Sequence, residues 1–285
     1  MVRDFLSSRA MGSFKHVGAD GWMIGGTIYP ILFYRLVEHT NVGFPWTVRI
    51  LGFLALGTSL CAALVLKVRV QPVKRRLAFD FKAFRELPFL FITLSFFFTL
   101  VGVYAPTFFI QLYALKSQYP PIASEKLAAY ILPILNAGAI PGRLFPGFVA
   151  DRTGVLNLLF LLQAAAGITV LSWIAVSNLA GLIVFALIYG FFFGGILSLP
   201  PPALISVSPD LSKAGTRFGT GVSVASLGVL IGTPISGVFL NSKKSDTTEH
   251  FLGLQVFAGI ILLLSALCCL LARTFKVGRA VWAKA

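Results

Sequence analysis

The chain has 285 residues, of which 57% are hydrophobic and 12% are charged, and its mean hydropathy is +0.87. Soluble domains carry about 25% charged residues, so the composition excludes an ordinary water-soluble protein. A net charge of +14 would suit nucleic-acid binding, but such proteins gather their basic residues into one patch or stripe. Here the basic residues lie at the ends of apolar runs, as in membrane proteins. We predict an integral membrane protein that does not bind nucleic acid.

Eight apolar runs follow one another along the chain. A helix that crosses the bilayer needs roughly 20 apolar residues, and the charge-free stretch 153–209 holds two such helices. Strands of membrane barrels are about 10 residues long and alternate in polarity, unlike these runs. We therefore predict an all-α membrane protein with about eight spanning helices. The predicted helices are 17–36, 46–66, 88–112, 127–150, 155–176, 179–199, 218–240 and 251–271.

The basic residues predict the orientation of the chain. Eight crossings put both termini on one side, and 18 of the 24 lysines and arginines fall on that side, against 6 opposite. Because basic loops stay in the cytoplasm, we predict that both termini are cytoplasmic. We place the protein in the plasma membrane, with an internal membrane as the alternative.

The most basic polar stretch, Lys67 to Glu86, separates two predicted helices from six. Its charge has two explanations: it holds the loop in the cytoplasm, or it contacts anionic lipid headgroups. The predicted organisation is a residual N-terminal half (1–66), a basic cytoplasmic linker (67–87) and a six-helix C-terminal half (88–285).

The segment that ends the fourth run reads GFVADRTG and carries Gly147, Asp151, Arg152 and Gly154. It resembles the G-x-x-x-D-R-x-G loop signature of the major facilitator superfamily. Three further segments resemble the monocarboxylate-porter branch of that family, in its fungal form. They are IGGTIYP at 24–30, PWTVR at 45–49 and NAGAIPGR at 136–143.

The resemblance implies a partial major facilitator fold. The family has twelve helices in two halves, and the eight predicted here resemble its fifth to twelfth. The first four helices have no counterpart in this chain, which we interpret as a truncated gene model or a natural short form. The basic stretch then resembles the central cytoplasmic linker of the family.

Arg143 is the most informative candidate site residue. It lies seven residues before Ala150, hence roughly 10 Å inside the predicted helix at 1.5 Å per residue. A charge at that depth is costly, so it requires a partner. One interpretation is that the guanidinium binds a carboxylate substrate through paired hydrogen bonds, a role that the resemblance also implies. The alternatives are that it extends to the interface or pairs with Asp151.

Other polar residues are weaker candidates. Tyr104, Asn136 and Tyr189 could line a substrate cavity or bond to a neighbouring helix. Asp20 could relay protons, or it could lie in a first helical turn, where a negative charge is favourable. The resemblance implies that Asp151 caps a neighbouring helix and stabilises one transport state; the alternative is a solvated pair with Arg152.

Glycine and proline spacing predicts how the helices pack. Three small-residue pairs at a four-residue spacing would let helices approach closely, and four prolines inside the runs can kink them. The pairs are Gly138 with Gly142, Gly190 with Gly194, and Gly228 with Gly232; the prolines are Pro106, Pro133, Pro141 and Pro234.

The sequence therefore predicts one of two functions. The first is a secondary transporter of monocarboxylates or similar small organic anions that works by alternating access, with proton symport implied by the resemblance. The second is a short family member without transport of its own, either inert or docked to another membrane protein. No catalytic residues, metal site or cofactor are predicted, because the three cysteines and three histidines are not suitably spaced.

Overall fold

The computed structural model describes residues 28–37, 43–65, 79–117, 121–208, 213–240 and 251–278, and these are almost entirely helical. Two short 3₁₀ helices, Phe81–Arg85 and Trp173–Ala175, accompany the α-helices. The α-helices are α1 (Ile28–Val37), α2 (Gly43–Val65), α3 (Leu87–Gly102), α4 (Tyr104–Lys116), α5 (Glu125–Thr153), α6 (Val155–Ser172), α7 (Leu179–Ser198), α8 (Pro200–Ser206), α9 (Ala214–Leu240) and α10 (Leu252–Val277).

Seven helical stretches in this described part are long and apolar enough to cross a membrane. They coincide with seven of the eight predicted runs, and α3 and α4 together form one of them, Leu87–Lys116. The remaining run is represented by the shorter helix α1, and its residues 17–27 lie outside the described residues. The all-α membrane fold is confirmed, whereas the division into two unequal halves stays a prediction.

Successive spans run in opposite directions, so their ends gather at two levels. We call the level of Asp80, Gly154 and Gly278 the linker end, and the level of Ser117 and Val176 the far end. Side-chain contacts confirm both levels: Arg273 bonds to Asn157 at the linker end, and the Tyr113 hydroxyl donates to the Val176 carbonyl at 2.5 Å at the far end.

The span formed by α3 and α4 is broken at Val103. Pro106 follows three residues later and has no N–H to bond with the Gly102 carbonyl. One backbone hydrogen bond of the helix is therefore missing here. By contrast, α5 continues as one helix through its three prolines. Pro133, Pro141 and Pro234 lie inside continuous helices, whereas Pro106 lies beside a break.

Glycines hold α5 directly against α7. A Cβ added to Gly138 would lie 2.5 Å from the Leu187 carbonyl oxygen, and additions at the three other glycines would come closer still to backbone carbonyls of the facing helix. Lipid gives helices little hydrophobic reason to associate, so close backbone packing provides much of the attraction. This α5–α7 seam is formed by Gly138, Gly142, Gly190 and Gly194.

The third glycine pair behaves in the same way between α3 and α9. A Cβ on Gly228 or Gly232 would overlap the carbonyl of Phe97 or Val101, respectively. All three predicted glycine pairs are therefore confirmed as sites of close helix approach.

A buried polar cluster joins α3, α6 and α10. The Gln163 amide donates to Ser95 Oγ at 2.9 Å and to Thr99 Oγ1 at 2.8 Å, and Thr99 shares a 2.9 Å hydrogen bond with Ser265. All four side chains are buried. Within an apolar interior such bonds hold helices together, because a lost partner leaves the remaining polar groups unsatisfied.

We expect Gln163→Leu to destabilise the bundle by about 1–3 kcal/mol, since it leaves two buried hydroxyls without their amide partner. Thermal unfolding in detergent measures this. Gln111→Leu is the matched control, because Gln111 is only partly buried and makes a single 3.4 Å bond to the Ala129 carbonyl. Equal unfolding temperatures for the two variants would contradict a stabilising role for the cluster.

Candidate functional site

Arg143 lies inside the bundle, as the sequence predicts. It is only 5% exposed, and it follows Gly142, whose backbone touches α7 beside Phe191. This contact fixes the depth and direction of the α5 backbone at the arginine. Arg143 and Tyr104 lie in different spans, within the range of an electrostatic interaction. Their joint contact with a substrate stays a prediction.

Tyr104 is the first residue of α4, immediately after the break at Val103. Its ring stacks on Phe108 with a centroid distance of 5.7 Å and meets Phe193 edge-on at 5.9 Å. Tyr104 therefore belongs to an aromatic cluster with Phe108 and Phe193. Phe108 and Phe193 were not predicted, although each lies four residues after a predicted tyrosine and hence one helical turn along the same face.

Tyr189 belongs to the same cluster but is fully buried. Its hydroxyl donates to the Val103 carbonyl at 2.5 Å, and its ring stacks near Phe185 and Phe193. Because this bond satisfies a carbonyl at the helix break, Tyr189 supports the start of α4, where Tyr104 lies. The geometry assigns it a positioning role, and direct contact with a substrate stays a prediction.

We expect Tyr189→Phe to impair transport more than it impairs folding. The lost hydrogen bond is worth about 1–2 kcal/mol and frees the break beside Tyr104, so uptake by reconstituted protein should fall several-fold. Tyr113→Phe is the matched control, since its hydroxyl makes an equally short bond to the Val176 carbonyl at the far end. Equal loss of uptake in both variants would contradict the positioning role.

Asn136 lies two helical turns before Arg143 on α5, hence on the same face and about 10 Å away. Its side chain is partly buried. Its contact with a substrate stays a prediction.

A cavity of about 590 Å³ opens toward the far end between α1, α2, α4 and α5. Aromatic side chains of α1, including Tyr29, Phe33 and Tyr34, form one wall, and Gln111 and Ala129 stand opposite. Its size lies within the range of small-molecule sites, about 300–1,000 Å³. Because α4 and α5 also carry Tyr104 and Arg143, the cavity and the arginine lie along the same two helices.

The loop signature closes the linker end of α5. Gly154 has φ 87° and ends the helix, a backbone conformation that favours glycine. Its N–H bonds to the Ala150 carbonyl at 2.9 Å, and Asn157 donates to the Thr153 carbonyl at 2.7 Å. Gly147 and Arg152 are exposed. The side chain of Asp151 lies outside the described residues, so its capping role stays a prediction.

Two further arginines are buried at the linker end. The sequence uses them only as part of the basic-residue count that predicts the orientation of the chain. Arg217 contacts Asp80 and Glu86, and Arg273 bonds to Asn157. Asp20, with the glycines of the 24–30 segment, lies outside the described residues. Within the described part no cluster of three potential metal ligands occurs.

The bundle of apolar spans, with an arginine buried among them, defines a polytopic membrane protein with a candidate small-molecule site. The sequence model of the Major Facilitator Superfamily matches residues 8–233. The chain therefore belongs to the major facilitator superfamily.

Curated fungal proteins are similar along most of the chain. MFS-type transporter dbaD of Emericella nidulans is 38% identical over 90% of this chain and 56% of its own length. The aspyridones efflux protein apdF of the same organism is 34% identical over 85% and 48%. The agnestins efflux protein AgnL12 of Paecilomyces divaricatus is 30% identical over 94% and 59%. The chain thus spans about half the length of these relatives.

These relatives are named as transporters or efflux proteins, in agreement with the expectation that the chain is not an enzyme. The membrane setting and the superfamily are confirmed. The monocarboxylate-porter branch and the absence of four helices stay predictions.

Proposed function

We propose that this chain forms part of a secondary transporter that moves small organic anions by alternating access. The observation that carries the proposal is Arg143, a nearly buried cation beside Tyr104 within the spans. A guanidinium binds a carboxylate with two parallel hydrogen bonds, and a low-dielectric surrounding strengthens that attraction. Alternating access would expose this place first to one side of the membrane and then to the other.

The aromatic cluster that contains Tyr104 narrows the proposed substrate further. Tyr104 packs with Phe108 and Phe193, and rings favour contact with flat or apolar molecules. The proposed substrate is therefore a monocarboxylate with an apolar or aromatic body. Its carboxylate would face Arg143 and its body would face the rings.

The cavity between α1 and α5 supplies the proposed route on the far-end side. Its lining is mostly apolar, with Gln111, Glu125 and two tyrosines as polar groups. An anion that leaves Arg143 along α4 and α5 would reach this space about two to three helical turns later. With both termini in the cytoplasm, the far end would be the outer side.

The relatives' names support outward movement. Two of them are efflux proteins, named for aspyridones and agnestins, and we extend the direction, though not those substrates, to this chain. Proton coupling, with Asp20 as the candidate relay, is part of the same proposal.

The test is uptake by the purified full chain in liposomes, with radiolabelled benzoate and lactate as probes. Saturable uptake of benzoate that exceeds uptake of lactate, and that is accelerated by an imposed pH gradient, is expected. No uptake above empty liposomes would support the alternative, a short family member that is inert or docks with another membrane protein. A rate of benzoate uptake that does not change with the pH gradient would contradict proton coupling.

A further inference from the structure

The end of the basic stretch is folded and docked onto α9. Residues 79–86 are the last eight residues of that stretch and precede α3. They contain the 3₁₀ helix Phe81–Arg85, with Asp80 before it, Glu86 after it and a fully buried Ala83 within it. The two acids belong to a chain with only 10 acidic residues against 24 basic ones. We call residues 79–86 the docked segment.

Arg217 of α9 forms ion pairs with both Asp80 and Glu86. Its two terminal nitrogens donate to the two carboxylate oxygens of Glu86, at 2.8 and 2.5 Å, and its Nε lies 3.4 Å from an Asp80 oxygen. The Arg217 side chain is only 7% exposed. Its guanidinium also lies over the Phe89 ring at 5.8 Å. This is a two-pronged arginine–carboxylate pair, which fixes geometry as well as charge.

A second contact holds the beginning of the docked segment. The Asp80 backbone N–H donates to the Thr220 hydroxyl at 3.0 Å, and that hydroxyl donates to the Thr216 carbonyl at 2.9 Å. Thr220 is fully buried and lies three residues after Arg217 on α9. The segment is therefore fastened at both ends to one turn of one helix.

Such a pair is better suited to fixing a position than to adding stability. Moving charges out of water costs nearly as much as their attraction returns, whereas removing one partner strands the other. An apolar contact would have held two helix ends together without two acids and an arginine. The arrangement therefore specifies where residues 79–86 lie against α9.

We propose that Arg217 is a positioning residue of the transport cycle, which fastens residues 79–86 to α9 and so ties the chain that enters α3 to that helix. This inference rests on the proposed transport function. Rocking of one half against the other must be taken up by the connection between them. When the docked segment is released, these eight residues no longer hold the start of α3 to α9, and movement of α2 is passed less directly to α3 and α9. Release should slow turnover and leave substrate affinity unchanged.

Trypsin provides a direct measure of docking, since Lys82 and Arg85 lie inside the docked segment. In the full chain reconstituted in liposomes, cleavage after these residues is followed by mass spectrometry, with cleavage after the Lys74–Arg76 cluster as the internal reference. Arg217→Gln is expected to speed cleavage after Lys82 by about tenfold, because it removes the two-pronged pair that fastens Glu86 to α9. Glu86→Gln should do the same, read at Lys82 alone because it changes the residue that follows Arg85. Arg217→Lys keeps the positive charge but lacks the planar guanidinium that bonds both Glu86 oxygens. It should therefore retain part of the protection of Lys82 from cleavage.

The matched control is Arg273→Gln, since Arg273 is also a buried arginine at the linker end but bonds to Asn157. It should leave cleavage after Lys82 unchanged. Benzoate uptake by the same samples should show a several-fold lower maximal rate for Arg217→Gln and an unchanged KM. Unchanged cleavage in Arg217→Gln would overturn the docking, and faster cleavage with normal uptake would overturn the positioning role. If the unaltered chain takes up no benzoate, the proposed transport function fails and the positioning role with it, while the cleavage comparison still decides whether the segment is docked.

Discussion

Arg143→Lys is expected to reduce benzoate uptake by roughly 10- to 100-fold while the protein remains folded. Lysine keeps the positive charge but offers a point charge in place of the planar fork. The substrate therefore loses a charge-assisted hydrogen bond, worth about 1.5–3 kcal/mol. The long aliphatic part of lysine fills much of the same space in α5, so packing against α7 should persist. Uptake at several benzoate concentrations separates weaker binding from slower turnover.

Arg49→Lys is the control for this prediction. Arg49 lies on α2, is exposed, and stacks over the ring of Trp46, away from the Arg143 cluster. The Arg49→Lys variant should take up benzoate at the same rate as the unaltered chain. Undiminished benzoate uptake by Arg143→Lys would eliminate the carboxylate-binding role and leave Arg143 with a structural one.

Gly194→Ala is expected to destabilise the α5–α7 seam strongly while leaving the side chain of Arg143 unaltered. The added Cβ would overlap the carbonyl of Ala139 on α5, and a backbone group cannot turn aside as a side chain can. Overpacking of this kind costs about 3 kcal/mol, enough to lower the unfolding temperature by roughly 10 °C. Thermal unfolding of the detergent-solubilised chain measures the shift.

Gly237→Ala tests whether the effect is due to the seam. Gly237 lies within α9 with nothing inside 4 Å of an added Cβ, so the change should leave the unfolding temperature equal or slightly higher, as helix propensity predicts. A similar loss in both variants would show that glycine flexibility, and not close packing, is what the bundle requires.

The spans could be predicted because lipid imposes one simple demand on them. An apolar run of sufficient length must become a helix, since no water is present to bond the backbone. The run predicted at 179–199 is the helix Leu179–Ser198, and the one at 155–176 is the span Val155–Ala175. The break at Val103 was not located, because a proline tolerated in α5 and a proline beside a break look alike in the sequence.

The candidate site was predictable in part for the same reason. Arg143 is conspicuous as a charge within an apolar run, and the structure confirms its burial. Pairings between distant spans leave no such local sign. Arg217 and Glu86 are 131 residues apart, and the Tyr189 hydroxyl bonds to a backbone carbonyl 86 residues away. The sequence shows the residue types but does not show which of them meet.

The α5–α7 seam limits how the proposed binding site could change. At Gly138, Gly142, Gly190 and Gly194 the two helices meet backbone to backbone, so these positions have no side chain to shorten and no room to lengthen one. Under the proposed transport function, a differently shaped cargo would have to be accommodated by exchanges at side chains such as Tyr104, Phe108 and Phe193. We expect laboratory selection for new cargo to change those residues and to leave the four glycines unaltered.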